Sequence, residues 1–376
     1  MKNKISVFIP VYKESKLLPD LLNKLINQNI EKEIFVIIDE PSENSLKILN
    51  EFHEKIKFMI NKERIGKVNA LNKAVVDASG EILLFLDADV EIPNDKRFLE
   101  KILIEAEKAD IIDIKKEVIK DSFLAKMTYY EYVSFNICSW LASKFVKKSP
   151  AINGAAFAIR KNVFESLNGF RKVISEDLDL ATRAFLNNYK FAYTNEVKVY
   201  NHVHSSWRRW IIQRRRWSIG AALWFKEWFK KLVKKCIKKP QVFISALFLL
   251  YPSSIIPIIN FFSLNLPIYN LTSASFHFLS ILSLFLTIKF NFALLILLLI
   301  NLGINFIQNF FASIISFSLF AFLFLIFSRK LGFKFKLHEF IIYYFFYSFI
   351  SLSIMIAELI KVFVFNRKNG NLDWKV

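Results

Sequence analysis

The chain has 376 residues, 54% of them hydrophobic and 16% aromatic, which is too apolar for an ordinary soluble enzyme. Its formal charge of +19 does not mark a nucleic-acid binder, because the densest basic block, 208–239, immediately precedes the first long apolar run, where lysine and arginine meet anionic headgroups. The two cysteines, Cys138 and Cys236, lack metal-ligand spacing, so neither a disulfide nor a structural zinc is expected.

The first 240 residues are rich in Lys, Glu, Asp and Asn and read as a water-soluble domain. Met1-Lys2-Asn3-Lys4 leads into a strand pattern without a signal peptide, so this domain is expected in the cytoplasm. Strand-like stretches at Ile5–Val11, Glu33–Asp39, Ile56–Ile60 and Glu81–Asp87 alternate with helical patterns at Ser15–Asn29, Ser42–Glu54 and Gly66–Ser79. Such alternation predicts an α/β domain, a parallel sheet covered by helices. After residue 95 the pattern loosens as far as Asn153-Gly154. A helix is then predicted over Asp177–Asn188 and a strand over Ala192–Tyr200.

Residues 206–235 form a basic, tryptophan-rich helix. At 100° per residue Trp207, Trp210, Ile211, Trp217, Ala221, Trp224, Phe225 and Trp228 share one face, opposite Arg209, Arg216 and Lys234. That pattern predicts a helix in the membrane interface, its indoles at headgroup depth. Apolar spans follow at about 242–262, 272–288, 291–328 and 338–365, the third longer than the roughly 20 residues one crossing needs. The positive-inside rule puts the basic segments 208–239, 329–336 and 367–368 in the cytoplasm, and about four helices are expected. Glu358 and Lys361, one turn apart in the last span, read as a local ion pair near the membrane edge.

The strongest chemical signal is Leu83-Leu84-Phe85-Leu86-Asp87-Ala88-Asp89. Alternate residues on a strand share a face, so Asp87 and Asp89 would project together from its C-terminal end. Ligands bind there in open α/β sheets, and two carboxylates can hold a hard divalent cation. Two solvated turn acids would look the same in isolation. Ser175-Glu176-Asp177-Leu178-Asp179 opens a helix, either as first-turn acids complementing the dipole or as a general base. In Gln213-Arg214-Arg215-Arg216-Trp217, residues 213, 216 and 217 fall on one helical flank. Arginine and glutamine there suit diphosphate oxygens, and an indole suits a sugar face.

These segments are joined in order by Ile9-Pro10-Val11-Tyr12-Lys13-Glu14, Asp39-Glu40-Pro41-Ser42, Gly66-Lys67-Val68-Asn69-Ala70-Leu71-Asn72, and Asn153-Gly154 with Arg160. The ordered series resembles family 2 inverting glycosyltransferases of the GT-A fold. Its Q-x-x-R-W ending is similar to the membrane-bound branch of hyaluronan, chitin and cellulose synthases and ceramide glucosyltransferase. The resemblance covers about residues 4–235. It implies a GT-A domain over 1–205, a basic interface region over 206–240 carrying the motif, a multi-pass α-helical membrane domain over 241–366, and a cytoplasmic tail over 367–376.

The resemblance also implies roles. Tyr12, Glu14 and Asp39 would line the nucleoside pocket, with Lys67 near the donor. Asp87 would contact the donor and, with Asp89, the metal, Mn²⁺ or Mg²⁺. Asp177, beside Glu176, would be the base. Gln213 and Arg216 would hold the diphosphate, and Trp217 and Gly154 would meet the acceptor. Some relatives add a histidine ligand, which draws attention to His202 and His204, although a hydrogen-bonded histidine is the commoner outcome. One departure stands out: Asp39-Glu40-Pro41 replaces the family's two aspartates and glycine.

The implied partners are a nucleotide sugar (UDP-sugar favoured, GDP-sugar the alternative), a lipid or glycan acceptor, and the membrane. A lipid acceptor is expected ahead of an extruded polysaccharide because the membrane part is modest. A polyprenyl-phosphate sugar synthase generally lacks the Gln-to-Trp motif. A decayed scaffold or transporter would not keep Asp87, Asp89, Asp177 and Trp217. A nucleotide-dependent dehydrogenase would need a glycine in Pro10–Glu14 for pyrophosphate approach, and there is none.

Overall fold

The computed structural model describes residues 4–237, 314–315 and 317–365. The chain divides into one unit of residues 1–249 with 353–376, and a second of 250–352.

The first unit is built on an eight-stranded sheet. Strands β1 (Ile5–Tyr12), β2 (Lys32–Asp39), β3 (Lys57–Asn61) and β4 (Ile82–Leu86) pair in parallel in the order β3-β2-β1-β4. Helices α1 (Leu18–Ile26), α2 (Glu43–Phe52) and α3 (Lys67–Val76) connect them, matching the predicted alternation. Every residue of β4 is buried, as expected for a parallel strand covered on both faces. The chain winds outward from β1 to β3 and returns through α3 to the other side of β1. A crevice therefore opens at the carboxyl ends of β1 and β4.

Beyond β4 the strands are β5 (Val90–Glu91), β6 (Ile111–Val118), β7 (Ala156–Arg160) and β8 (Phe191–Asn201), with α4 (Phe98–Ala106) between β5 and β6. β7 lies antiparallel between β4 and β6, with Leu86 opposite Ala156. This reversed strand brings the residues before β7 to the end of β4, where the Asp87 N–H donates to the Ala155 carbonyl at 2.9 Å.

Helix α5 (Phe123–Leu141) lies in the stretch whose pattern loosens in sequence. It is buried on nearly all sides, so it has no polar face and no helical period to read. Its polar residues are satisfied internally. Asn136 brackets the Lys116 backbone, accepting its N–H at 3.1 Å and donating to its carbonyl at 2.9 Å. Ser139 donates to Asp113 at 2.6 Å, and Asp113 pairs with Lys116.

Helices α6 (Lys161–Ser166), α7 (Glu176–Leu186) and α8 (Trp207–Ile237) complete the unit as described. The indoles of α8 do not share a membrane face. Trp210 is fully buried, the Trp224 N–H donates to Thr182 at 2.8 Å, and the Trp228 N–H donates to Asp179 at 3.2 Å. An indole N–H needs an acceptor when buried, and α7 supplies two. The exposed large apolar residues of α8 are Trp207, Ile211 and Phe225 of the predicted face, together with Ile212, Phe229 and Ile237.

Among the described residues one helix, α9 (Leu337–Phe363, 27 residues), is long and apolar enough to cross a membrane, with a mean hydropathy of 1.9 over an 18-residue window. It coincides with the last predicted span. The spans at 242–262 and 272–288, and most of 291–328, lie outside the described residues. Glu358 in α9 does pair with Lys361, at 2.7 Å, yet its carboxylate is buried and also accepts from Arg215 Nε of α8 at 3.1 Å.

Asp179 shows what α7 contributes. It is 2% exposed, pairs with Arg171 and Arg183 at 2.8 Å each, and receives the Trp228 N–H. Removing it strands the Arg183 guanidinium in a largely dry site. Asp179→Ala should lower stability by about 3 kcal/mol, read from chemical denaturation of the full chain in detergent.

Candidate active site

The crevice is organised around Lys67, the first residue of α3. Gly66 precedes it with φ +85°, a conformation that favours glycine, and donates its N–H to Asp39 at 2.8 Å. Asp39, buried at the end of β2, also accepts from the Asn61 amide at 2.8 Å and so pins the turn. Lys67 Nζ then reaches Asp87 at 2.9 Å and Glu176 at 3.1 Å. Burial disfavours the ammonium, but Asp87 and Glu176 outweigh it and raise the pKa, so Lys67 stays charged.

Asp177 follows Glu176 at the start of α7. Its Oδ2 accepts the Gly154 N–H at 2.9 Å and its Oδ1 accepts the Leu178 N–H at 2.8 Å. A Cβ at Gly154 would lie 2.8 Å from Oδ2, so only glycine lets the backbone come this close. Burial, and then the neighbouring Glu176, push the Asp177 carboxyl up to about 6 despite Lys67. Lys67, Asp87, Gly154, Glu176 and Asp177 line one small pocket, with Phe85, Phe157 and Phe170 among its walls.

The predicted strand face for the acids is modified. β4 ends at Leu86, and Ala88-Asp89 form a turn. Asp87 and Asp89 are nevertheless electrostatic neighbours. The Asp89 carboxyl is pushed up to about 6 by the protein packed around it and then by Asp87, although the residue still reaches solvent. Two carboxylates repelling each other at a cleft suit a divalent cation, with diphosphate and water completing its shell. Among the described residues no group of three His, Cys, Asp or Glu could hold a metal. His202 is engaged by Glu91 at 2.6 Å. Burial, then Arg209, lower the pKa of His204.

On the β1–β2 side, the Tyr12 hydroxyl donates to Glu40 at 3.0 Å, and the Arg64 guanidinium lies 4.3 Å from the Tyr12 ring centroid. An open depression borders them, lined by Lys13, Glu40, Pro41, Ser42 and Lys62. Glu14 is exposed and held by Ser42 at 2.7 Å and Asn44 at 3.0 Å, which lower its pKa.

Gln213, Arg216 and Trp217 are each half-buried on α8. Gly220 lets this helix approach the segment leading to Asp177: a Cβ there would collide with Ser175 and lie 2.9 Å from Ile174. Sequence reasoning left Arg214 without a role, but the structure buries it against Glu131 and under Trp217. The signal available was Glu131 itself, the sole acid in the apolar run 123–141.

The half-parallel sheet, its acids at the switch point and the reversed β7 define an α/β domain of GT-A type. Residues 6–167 match the family model described as Glycosyl transferase family 2, so this stretch is a family 2 glycosyltransferase domain. The chain is 30% identical over 235 residues to the probable glycosyltransferase YdaM of Bacillus subtilis (strain 168), covering 58% of this chain and 55% of that protein. It is 27% identical over 222 residues to a poly-beta-1,6-N-acetyl-D-glucosamine synthase of Staphylococcus epidermidis, covering 57% and 54%. The chain thus spans about half the length of the curated relatives it matches. Among solved structures, a mannosyltransferase from Pyrobaculum calidifontis in complex with GDP-Man and Mn²⁺ is similar at a TM-score of 0.49 and 20% identity, over 60% of this chain and 64% of that one. That likeness is too loose to carry functional weight.

The Gly154–Asp177 contact is directly testable. Gly154→Ala should fold normally, because the three atoms nearest its Cβ all belong to the Asp177 side chain, yet displace that carboxylate. Glycosyl transfer should fall by about 10²-fold, the scale expected for a misplacement near 1 Å, with thermal stability near wild type.

Proposed function

We propose that the chain is a membrane-bound inverting hexosyltransferase that moves a sugar from a nucleotide-sugar donor to a lipid or lipid-linked hydroxyl. A UDP-sugar is the favoured donor and a GDP-sugar the alternative. The observation that carries this reading is the contrast between two adjacent carboxylates. Glu176 is committed to the Lys67 ion pair, whereas Asp177 is held by two backbone N–H groups with its pKa near the working range.

In this reading Tyr12, Glu14 and Asp39 form the nucleoside rim, and Gln213 and Arg216 bind the diphosphate. Asp87, oriented by Lys67, contacts the donor sugar. Asp89 and Asp87 would hold Mn²⁺ or Mg²⁺, which when bound supplies positive charge against the departing diphosphate. Asp177 removes the proton of the acceptor hydroxyl as its oxygen attacks the anomeric carbon opposite the leaving group. One displacement converts an α-linked donor into a β-linked product. Trp217 offers its indole to the acceptor. Helix α9 and the exposed apolar residues of α8 support membrane attachment, and the basic segments 208–239 and 329–336 favour a cytoplasmic catalytic domain.

A second reading, repeated addition to a growing glycan, is favoured by the poly-beta-1,6-N-acetyl-D-glucosamine synthases among the relatives. The decisive assay incubates the full chain in lipid vesicles with excess radiolabelled UDP- and GDP-sugars and sizes the product. One or a few sugars on a lipid supports the first reading, and a ladder of long chains replaces it with the second.

The base is tested separately. Asp177→Asn should bind donor normally while turnover drops by about 10² or more. In the wild type, a base with a pKa of about 6 must be ionised to work, so kcat should fall as pH drops through that value. Wild-type turnover in the variant would remove Asp177 from the mechanism.

A further inference from the structure

Arg214 stands inside the Gln213–Trp217 run yet has no place among the groups assigned to donor or acceptor. Its guanidinium is buried against Glu131 of α5: Nη1 donates to Oε1 at 2.6 Å and Nη2 lies 2.6 Å from Oε2 as an ion contact, with the two side chains 3% and 4% exposed. The same guanidinium lies 4.4 Å from the ring centroid of Trp217 and 5.3 Å from that of Trp210. Trp210 is wholly buried, while Trp217 keeps an exposed part.

A buried ion pair is a poor way to stabilise a helix contact, because desolvation of both charges consumes most of the attraction. Apolar side chains of the same size would hold α8 to α5 at least as well. What the pair provides is direction. One hydrogen bond and a second close ion contact to the same carboxylate restrict the planar guanidinium in a way that a flexible ammonium or an aliphatic chain would not match. That plane is set against one face of Trp217, where a cation is attracted to the ring. One indole face is thereby committed to the protein. Tyr132, the residue after Glu131, ties the arrangement to the acids: its phenol is buried and feels the charges of Arg214, Asp89 and Asp87. Helix α5 therefore lies within electrostatic reach of the acidic end of β4 as well as beneath the arginine that meets the indole on α8.

We propose that Glu131 and Arg214 are positioning residues that set the plane of Trp217 and through it the selection of acceptor, which lies against the uncommitted face. This inference rests on the reading of Trp217 as the acceptor platform.

The test uses the full chain in detergent, labelled with 5-fluorotryptophan, with the Trp217 resonance assigned by Trp217→Phe. Because a lone charge left by Glu131→Gln risks misfolding, the decisive variant is the neutral pair Glu131→Gln with Arg214→Met. Its Trp217 fluorine resonance should shift and broaden relative to wild type. With n-octyl β-D-glucoside as acceptor probe, the acceptor KM should rise about 10-fold while the donor KM stays within about 2-fold. Arg214→Lys, which keeps the charge and loses the planar fork, should behave like the neutral pair. An unchanged resonance in the neutral pair, or equal rises in both KM values, overturns the inference. If Trp217→Ala itself leaves the probe's KM unchanged, the acceptor-platform reading fails first. A rise in Trp217→Ala without one in the neutral pair sinks the positioning role alone.

Discussion

Lys67 is the charge on which the crevice at the end of the sheet depends. It stands at the first turn of α3, and its ammonium joins the carboxylate at the end of β4 to the one that opens α7. Without a cation there, Asp87, Glu176 and Asp177 would gather in one poorly hydrated pocket with their repulsion unmatched by any positive side chain lining it. The turn that delivers Lys67 is itself fixed by Asp39, through the N–H of a glycine in a left-handed conformation. Asp39 thus acts on the crevice through the backbone, whatever its part in nucleoside contact.

The reversed strand β7 is the second constraint. Its pairing with β4 places Gly154 where its N–H meets Asp177, and the absence of a Cβ permits that approach. The carboxylate that emerges is hydrogen-bonded to backbone, partly desolvated and raised toward neutrality, the condition expected of a group that takes up a proton.

Away from the acids, α8 directs charge to two neighbouring helices. Arg214 turns inward to Glu131 and Arg215 turns to Glu358 of α9. Consecutive residues of one motif are therefore tied to a core helix and to the apolar C-terminal helix. Arg208, Arg209, Lys230 and Lys231 stay exposed beside Trp207, Ile211, Ile212 and Phe229, a mixture suited to a headgroup layer.

The parallel half of the sheet was legible in sequence because each strand and helix there has one period and one covering layer. The chemistry was legible as candidates, since Asp87, Asp89, Glu176 and Asp177 occupy strand ends and helix starts that local pattern locates. Helix α5 was not, because burial on all sides erases the polar face that periodicity detects. The tryptophans of α8 were misdirected for a related reason: helical geometry tells which residues share a face, but not whether lipid or protein covers it. The acceptors Thr182 and Asp179 decided that, by satisfying indole N–H groups that lipid would leave unpaired. The contacts of Lys67 with Asp87 and Glu176, and of Arg214 with Glu131, join positions far apart in the chain. Such pairings depend on strand order and helix packing, so local sequence supplies the charged groups and only the tertiary structure selects their partners.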